Sequence, residues 1–475
     1  MKKIFYIVIS LLLLQSCTKD ITRFNEETKQ AASVPAGTLV ANSVKSLADV
    51  LASGSVNTNI WRFTVKHWAM SIYQDEVQYN FTTRNIPQSW WTTMYRDVLV
   101  DLNDAAGIIN ENTILDPAIK ANQLAIIDIL QVYTYNILVN TFGDVPYSEA
   151  LDPSNLFPKY DDAKTIYADL LKRLSTDIAS LNAASGSFSS TEDLVYAGKV
   201  ANWIKFANSL QMKMGMTIAD VDPAAAKTAV EAASANAMSS AADNGLVKYM
   251  VGSPNQNPLY VDIVLGGRPD YVASEDLMSQ LIALNDPRKS QFFAVNKDGI
   301  YNGGLVGSVN DFPGTSKPSA KVSAENAPLV LLNYMQTEFL RAEAIERGFN
   351  VAGTAEEHYN NAIKASIIYW GGTAAEADAY LAQPKVAYST ATGIWKQKIG
   401  FQKWIALYNM PFEGWTELRR LDFPVLTLPV GAISGFPNRF PYPANEAQLN
   451  GTNYAEASSR MGDDKVEFKL FWDKF

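Results

Sequence analysis

The chain has 475 residues, 47% hydrophobic and 19% charged, with ordinary Gly and Pro content and 11% aromatics, which allows a large packed core and excludes a disordered polymer. Its formal charge of −9 repels phosphate backbones and argues against a nucleic-acid partner. One cysteine and two histidines exclude an intramolecular disulfide and a thiolate metal cage, and they supply too few imidazoles for a zinc site or a His-based triad.

Taken in chain order, Met1-Lys2-Lys3 precedes an apolar run from Ile4 to Leu14 broken only by Ser10. A positive start with a run shorter than the ~20 residues of a spanning helix reads as a signal peptide, residues 1–16. Leu14-Gln15-Ser16-Cys17 resembles a bacterial lipobox, in which the cysteine is acylated and becomes the new N-terminus. Cys17 is therefore the expected lipidation site, palmitate among its acyl chains, each buried methylene contributing ~0.8 kcal/mol to the anchor. Residues 17–36 carry Lys19, Asp20, Glu26, Glu27 and Pro35 without sustained periodicity and read as the lipidated N-terminus and its tether.

Residues 37–475 form the expected main domain, and its dominant period is helical. Ile126, Leu130, Tyr133 and Ile137 are spaced 4, 3, 4, and Ala163 to Leu181 repeats the pattern behind Asp161 as N-cap. Trp203, Phe206, Leu210 and Met214 form another stripe. Leu332 to Ala342 follows, in a helix closing at Gly348 with Glu343 and Arg347 paired on its solvent face. Thr354 and Glu357 have capping-box spacing ahead of Tyr359, Ile363, Ile367 and Trp370, so residues 328–370 read as a helical hairpin. A further helix is predicted over Ile394 to Asn409, and a short strand around Gly245 to Val251. The fold class is all-α, with tetratricopeptide-like hairpins in a superhelical scaffold. Long inserts interrupt it at residues 74–89, 143–159, 252–271 and 297–328, and loops of that length are usually functional.

Motifs spread over nearly the whole chain carry a family resemblance. They are Trp91 to Tyr95 leading into Val98 to Leu102, Phe142-Gly143-Asp144-Val145-Pro146-Tyr147-Ser148-Glu149-Ala150, Trp203 to Leu210, Asn285-Asp286-Pro287-Arg288, Glu338 to Ala344, Gln402 to Leu407, Trp415 to Arg420, and Arg439 to Pro443 followed by Glu446 and Asn450. In this order the chain resembles the SusD/RagB family of nutrient-binding outer-membrane lipoproteins, in its SusD-like subgroup. The resemblance implies a helical body with a loop-built site, no catalytic activity and no cofactor. It also implies an oligosaccharide (starch-type) or peptide ligand, and delivery to a SusC-like TonB-dependent outer-membrane barrel at the cell surface. Alternative readings are an exported helical glycosidase or lyase, and a lid of the barrel without affinity of its own.

The motifs themselves read as scaffold. Gly143 and Pro146 shape a turn in which Asp144 accepts local backbone hydrogen bonds. The enzymatic alternative makes Asp144 and Glu149 a glycosidase pair, which requires carboxyls about 5 to 9.5 Å apart. Arg419 and Arg420 are expected to bridge helices or cap carbonyls, Asn208 to pack, and His67 and His358 to be packing or surface residues without metal-ligand spacing. Phosphate-binding, dinucleotide and serine-nucleophile motifs are absent, and Asn296, Asp298 and Gly299 make a turn, not a calcium loop.

Sugar capture needs flat aromatic faces with amide, carboxylate and guanidinium groups around them. The richest such mixture in an irregular segment is Tyr73 to Trp91, where Tyr79, Phe81, Arg84 and Trp90 are the candidate ligand-binding residues and Trp91 is assigned to the core. Asn302 to Phe312 is a second candidate patch.

Overall fold

The computed structural model describes residues 34–475. The signal peptide, Cys17 and most of the tether lie outside the described residues. The first helix, α1 (Ala36–Ala52), is followed by α2 (Ile86–Thr92), which passes through a π-helical stretch, Thr93–Leu99, into α3 (Val100–Glu111). Next come α4 (Pro117–Phe142), α5 (Ala163–Ser180), α6 (Val200–Thr217), α7 (Pro223–Ala233) and α8 (Glu275–Ala283). The C-terminal part holds α9 (Tyr334–Glu346), α10 (Ala355–Tyr369), α11 (Trp395–Ala406), α12 (Pro411–Leu421) and α13 (Gly451–Arg460). Of the short strands, β1 (Trp68–Met70), β2 (Gly245–Val247), β3 (Tyr271–Ala273) and β4 (Leu329–Leu332) pair antiparallel as β1 with β3 and β2 with β4, and two further two-residue pairs tie Val145–Pro146 to Tyr160–Asp161 and Phe293–Ala294 to Lys317–Pro318. Helices pack in sequential hairpins, α4 on α5, α6 on α7 and α9 on α10.

The helix ends follow from local chemistry. Asp116 Oδ1 accepts the N–H groups of Ala118 and Ile119 at 2.8 and 3.1 Å ahead of Pro117, and α4 stops at Gly143, whose φ of +88° an L side chain rarely adopts. From Ala125 onward α4 is buried nearly all round, as a helix at the centre of stacked hairpins must be. By length and composition α4 could cross a membrane, but it is the core helix of this fold. The α5 cap is Asp162, which accepts Thr165 N–H at 2.8 Å, one residue beyond the expected Asp161. Asp161 instead accepts from Ser148 N–H at 2.7 Å, closing the 143–159 insert.

The hairpin over residues 328–370 forms as expected. Asn333 caps α9, Gly348 (φ +77°) follows it, and Thr354 Oγ1 accepts Glu357 N–H at 3.1 Å. The expected solvent pair does not lie on the solvent face. Glu343 and Arg347 are 2.8 Å apart, but the Glu343 side chain is fully buried, because α9 is covered on all sides by α10, α11 and α6. There Glu343 accepts from both Arg420 nitrogens at 2.5 and 2.6 Å, Arg420 also reaches Glu417 at 2.6 Å, and Lys403 reaches Glu417 at 2.8 Å. A charge group in a dry core is tolerated only when so fully paired. The predicted α11 ends three residues early, at Ala406, and only Gly245–Val247 of the predicted strand pairs.

Candidate ligand-binding face

Apart from the short helical stretch 258–265, the irregular segments have no helical ladder, and many of their backbone groups are satisfied across one another. Beyond β1, Ser71 N–H donates to Asp270 C=O at 2.8 Å, and Asn310 N–H donates to Ser71 C=O at 3.0 Å. Asn310 Nδ2 donates to Met70 C=O at 2.7 Å, and Gln78 Nε2 donates to Gly307 C=O at 2.9 Å. Ile433 N–H reaches Gln78 C=O at 3.0 Å and Val430 N–H reaches Val306 C=O at 2.9 Å. Residues 71–85, 252–270, 297–316 and 424–436 thereby become one loop-built face on the helical scaffold. Of the two patches singled out in the sequence, Asn302 to Phe312 and the first part of Tyr73 to Trp91 belong to it, whereas residues 86–91 are in α2.

Tyr73 is the exposed ring of this face. Of the aromatic side chains among the described residues only Tyr73, Phe157 and Phe475 are exposed, and Tyr73 is 50% exposed on a backbone with φ +64°. A non-glycine residue there costs of order 1 kcal/mol and persists because the surrounding hydrogen bonds hold the turn. Exposed Ile72, Leu305, Val309 and Ile433 lie on the same stitched loops, with exposed Asp75, Arg84 and Asn302 as polar groups. Two clefts adjoin the face. One, of about 490 Å³, is lined by hydroxyls such as Ser53, Thr58 and Ser89 and by carboxylates including Asp97 and Asp262. The other, of about 410 Å³, lies against the 424–430 arm, which buried Lys66 holds by donating to Thr427 Oγ1 at 2.9 Å and to Asp276 at 3.1 Å.

Three of the four candidate residues lie inside. Trp90 is fully buried, edge-on to Trp61 at 5.4 Å and 5.7 Å from Phe412. Phe81 packs against Phe440 at 5.0 Å, and Tyr79 is 3% exposed, its phenol pushed well up by burial. None presents a ring face to solvent, because a segment without periodicity does not say which of its rings turn inward. Arg84 does reach the surface, paired with Glu76 and donating to Asn57 Oδ1 at 3.1 Å. Tyr73 belonged to the segment named from sequence but was not singled out; its only sequence signal was the polar run Gln74-Asp75-Glu76 that follows it. Trp91 packs in the core with Tyr95 and Phe142, as assigned.

The remaining sequence motifs are scaffold. Asp144 is 1% exposed, accepting Ala163 N–H at 2.9 Å and Arg460 at 2.6 Å, while Glu149 is tied to Lys159 and Asn155. Asp144, held this way, is not free to serve as a glycosidase carboxyl. Arg288 makes a fully buried fork with Asp286, and Arg419 donates to the carbonyls of Asn140 and Asn438 at 2.9 and 2.7 Å. His67 is fully buried with Nε2 3.0 Å from Trp404 C=O, and burial pushes its pKa down to about 3, so it is neutral. His358 pairs through Nδ1 with Glu338 at 2.9 Å.

The molecule is a helical-hairpin scaffold that presents a stitched loop face with an exposed ring and spends most of the charges of its sequence motifs on its own interior. The chain belongs to the SusD-like family, whose model is described as starch-binding, associating with the outer membrane, and matches residues 28–443. No curated protein sequence matches it significantly. Among solved structures it is similar to a chitin-binding protein, at 26% identity and TM-score 0.80 over 93% of this chain and 100% of that one. It is also similar to a SusD homolog from Bacteroides uniformis, at 26% identity and TM-score 0.77 over 93% and 99%. A chitin-binding SusD homolog from Flavobacterium johnsoniae shares the fold at 24% identity and TM-score 0.78, over 92% and 99%. The chain is thus an outer-membrane-associated binding protein of this family and not an enzyme.

Proposed function

We propose that the protein is a surface lipoprotein, anchored through acylated Cys17, that captures a glycan or oligopeptide and passes it to a SusC-like TonB-dependent barrel. Family membership and the chitin-binding relatives support a glycan as the ligand. The single observation that carries the capture role is the loop face around Tyr73, an exposed ring on a segment that also bears exposed Asp75 and Arg84, with a backbone fixed by cross-loop hydrogen bonds. Preorganised aromatic and polar groups of this kind bind sugars through ring faces and hydroxyls without catalysis.

The test is binding of purified residues 18–475 to a panel of starch-type and chitin-type oligosaccharides and peptides, with product release monitored in parallel. A saturable hit without turnover is expected and names the ligand. Turnover would overturn the reading in favour of the enzyme alternative. Silence across the panel, together with co-purification of a barrel, would replace it with a lid whose site the barrel completes. Labelling with palmitate, lost in Cys17→Ala, tests the anchor.

A further inference from the structure

Another cavity lies away from the loop face. It is a groove of about 420 Å³ between α5 and α7, floored by α6 and closed at one end by Phe471, whose ring meets Tyr167 edge-on at 5.5 Å. Leu171, Ile218, Val221, Ala225 and Ala229 make it apolar. Its volume falls within the roughly 300–1,000 Å³ of small-molecule sites, and its small walls offer too little surface for a stable protein interface.

The rim of the groove carries charge. Lys164, Ala168 and Lys172 follow one another at four-residue spacing along the α5 wall, about 12 Å from first to last, and all three line the groove. Both lysines are exposed, and neither makes an ion pair or hydrogen bond through its ammonium among the described residues. The one acid on the lining, Asp222, is occupied in capping α7, where it accepts Ala225 N–H at 3.0 Å. On the floor Gln211 is 6% exposed, with only a long 3.5 Å donation to Ala229 C=O, and its Oε1 accepts no hydrogen bond among the described residues. In a chain of net charge −9, an apolar groove rimmed by two free ammonium groups selects by charge as well as by hydrophobicity.

From this we infer that the groove between α5 and α7 binds an anionic single-chain amphiphile, its acyl chain lying on Leu171, Ile218 and Ala229 and its carboxylate or phosphate head held by Lys164 or Lys172. The inference is independent of the glycan reading and uses none of the loop-face residues.

Calorimetric titration of purified residues 18–475 with octanoate, decanoate and dodecanoate below their micellar concentrations tests it, with dodecyltrimethylammonium as the charge-reversed probe. Saturable one-to-one binding is expected, tightening about fourfold per added methylene while the groove is being filled. Lys164→Gln with Lys172→Gln should weaken dodecanoate about tenfold and leave the melting temperature within a few degrees. Ala168→Trp, which fills the groove from an exposed position, should abolish binding, and circular dichroism checks that it folds. Dodecyl phosphate against inorganic phosphate separates a lipid head from a free anion; binding of inorganic phosphate alone would overturn the inference. Equal affinity for the ammonium probe, or unchanged affinity in the double lysine variant, would also overturn it. So would binding of an acidic amphipathic Leu/Glu peptide with none of dodecanoate.

Discussion

Replacing Tyr73 separates the loop face from the fold beneath it. The ring is 50% exposed. Of a side chain of roughly 200 Å², about 100 Å² then faces solvent and a stacked sugar covers about half, which at about 25 cal/mol per Å² is about 1.2 kcal/mol, or about eightfold in Kd. Tyr73→Gly removes that contribution and also releases the φ of +64°, a gain of order 1 kcal/mol that the greater freedom of glycine in the unfolded chain offsets. Stability should therefore stay within about 1 kcal/mol of the parent while glycan affinity falls about eightfold. Calorimetric titration with the ligand found in the panel reads the affinity, and urea unfolding reads the stability. Unchanged affinity would show that the ring is not part of the site and refute the reasoning from exposure.

Other expectations follow from the interior. Trp90→Ala opens a cavity between Trp61 and Phe412 and should cost about 3–5 kcal/mol in urea unfolding, with any loss of ligand binding tracking the unfolded fraction. Glu343→Gln strips Arg420 and Arg347 of their buried partner and should cost about 3–5 kcal/mol by the same measurement. Burial alone would raise the Glu343 carboxyl, but Arg420, Arg347 and Lys403 hold it at about 2 against an ordinary 4.5. Its contribution is therefore complete above about pH 4.5 and lost as pH falls toward 2, and an acid-unfolding midpoint that did not rise in the Gln variant would contradict this. His358 is shifted the other way: burial disfavours its charge, but the Glu338 carboxylate and the Ala352 carbonyl outweigh that and raise its pKa above 6.5. The stability it adds is full below pH 6.5 and is lost as pH rises through the folded value, so the urea midpoint should fall over that window in the parent and not in His358→Gln.

Much of the fold was legible in the sequence because each helix carries its own stripe and cap. The 328–370 hairpin needed only Phe339, Ile363, Ile367, Gly348 and Thr354, all local signals, and residues that must turn or bridge, such as Asp286 and Arg419, were readable by type. Which face of a helix meets another element is not local. Glu343 and Arg347 have the spacing of a solvent pair, and only the packing of α10, α11 and α6 around α9 turned them into a buried network with Arg420. The same holds for the candidate site. Composition pointed to the segment Tyr73 to Trp91, but an irregular chain has no period to divide inward from outward rings. Phe81 and Trp90 were drawn into the aromatic core around Trp61 and Phe440, Tyr79 was buried edge-on to Phe436, and Tyr73 was left outside on a loop held by hydrogen bonds to segments more than two hundred residues away. Sequence by itself determined the element types, their ends to within a few residues and the chemistry available. The tertiary structure decided which side chains water can reach, because burial depends on partners far along the chain.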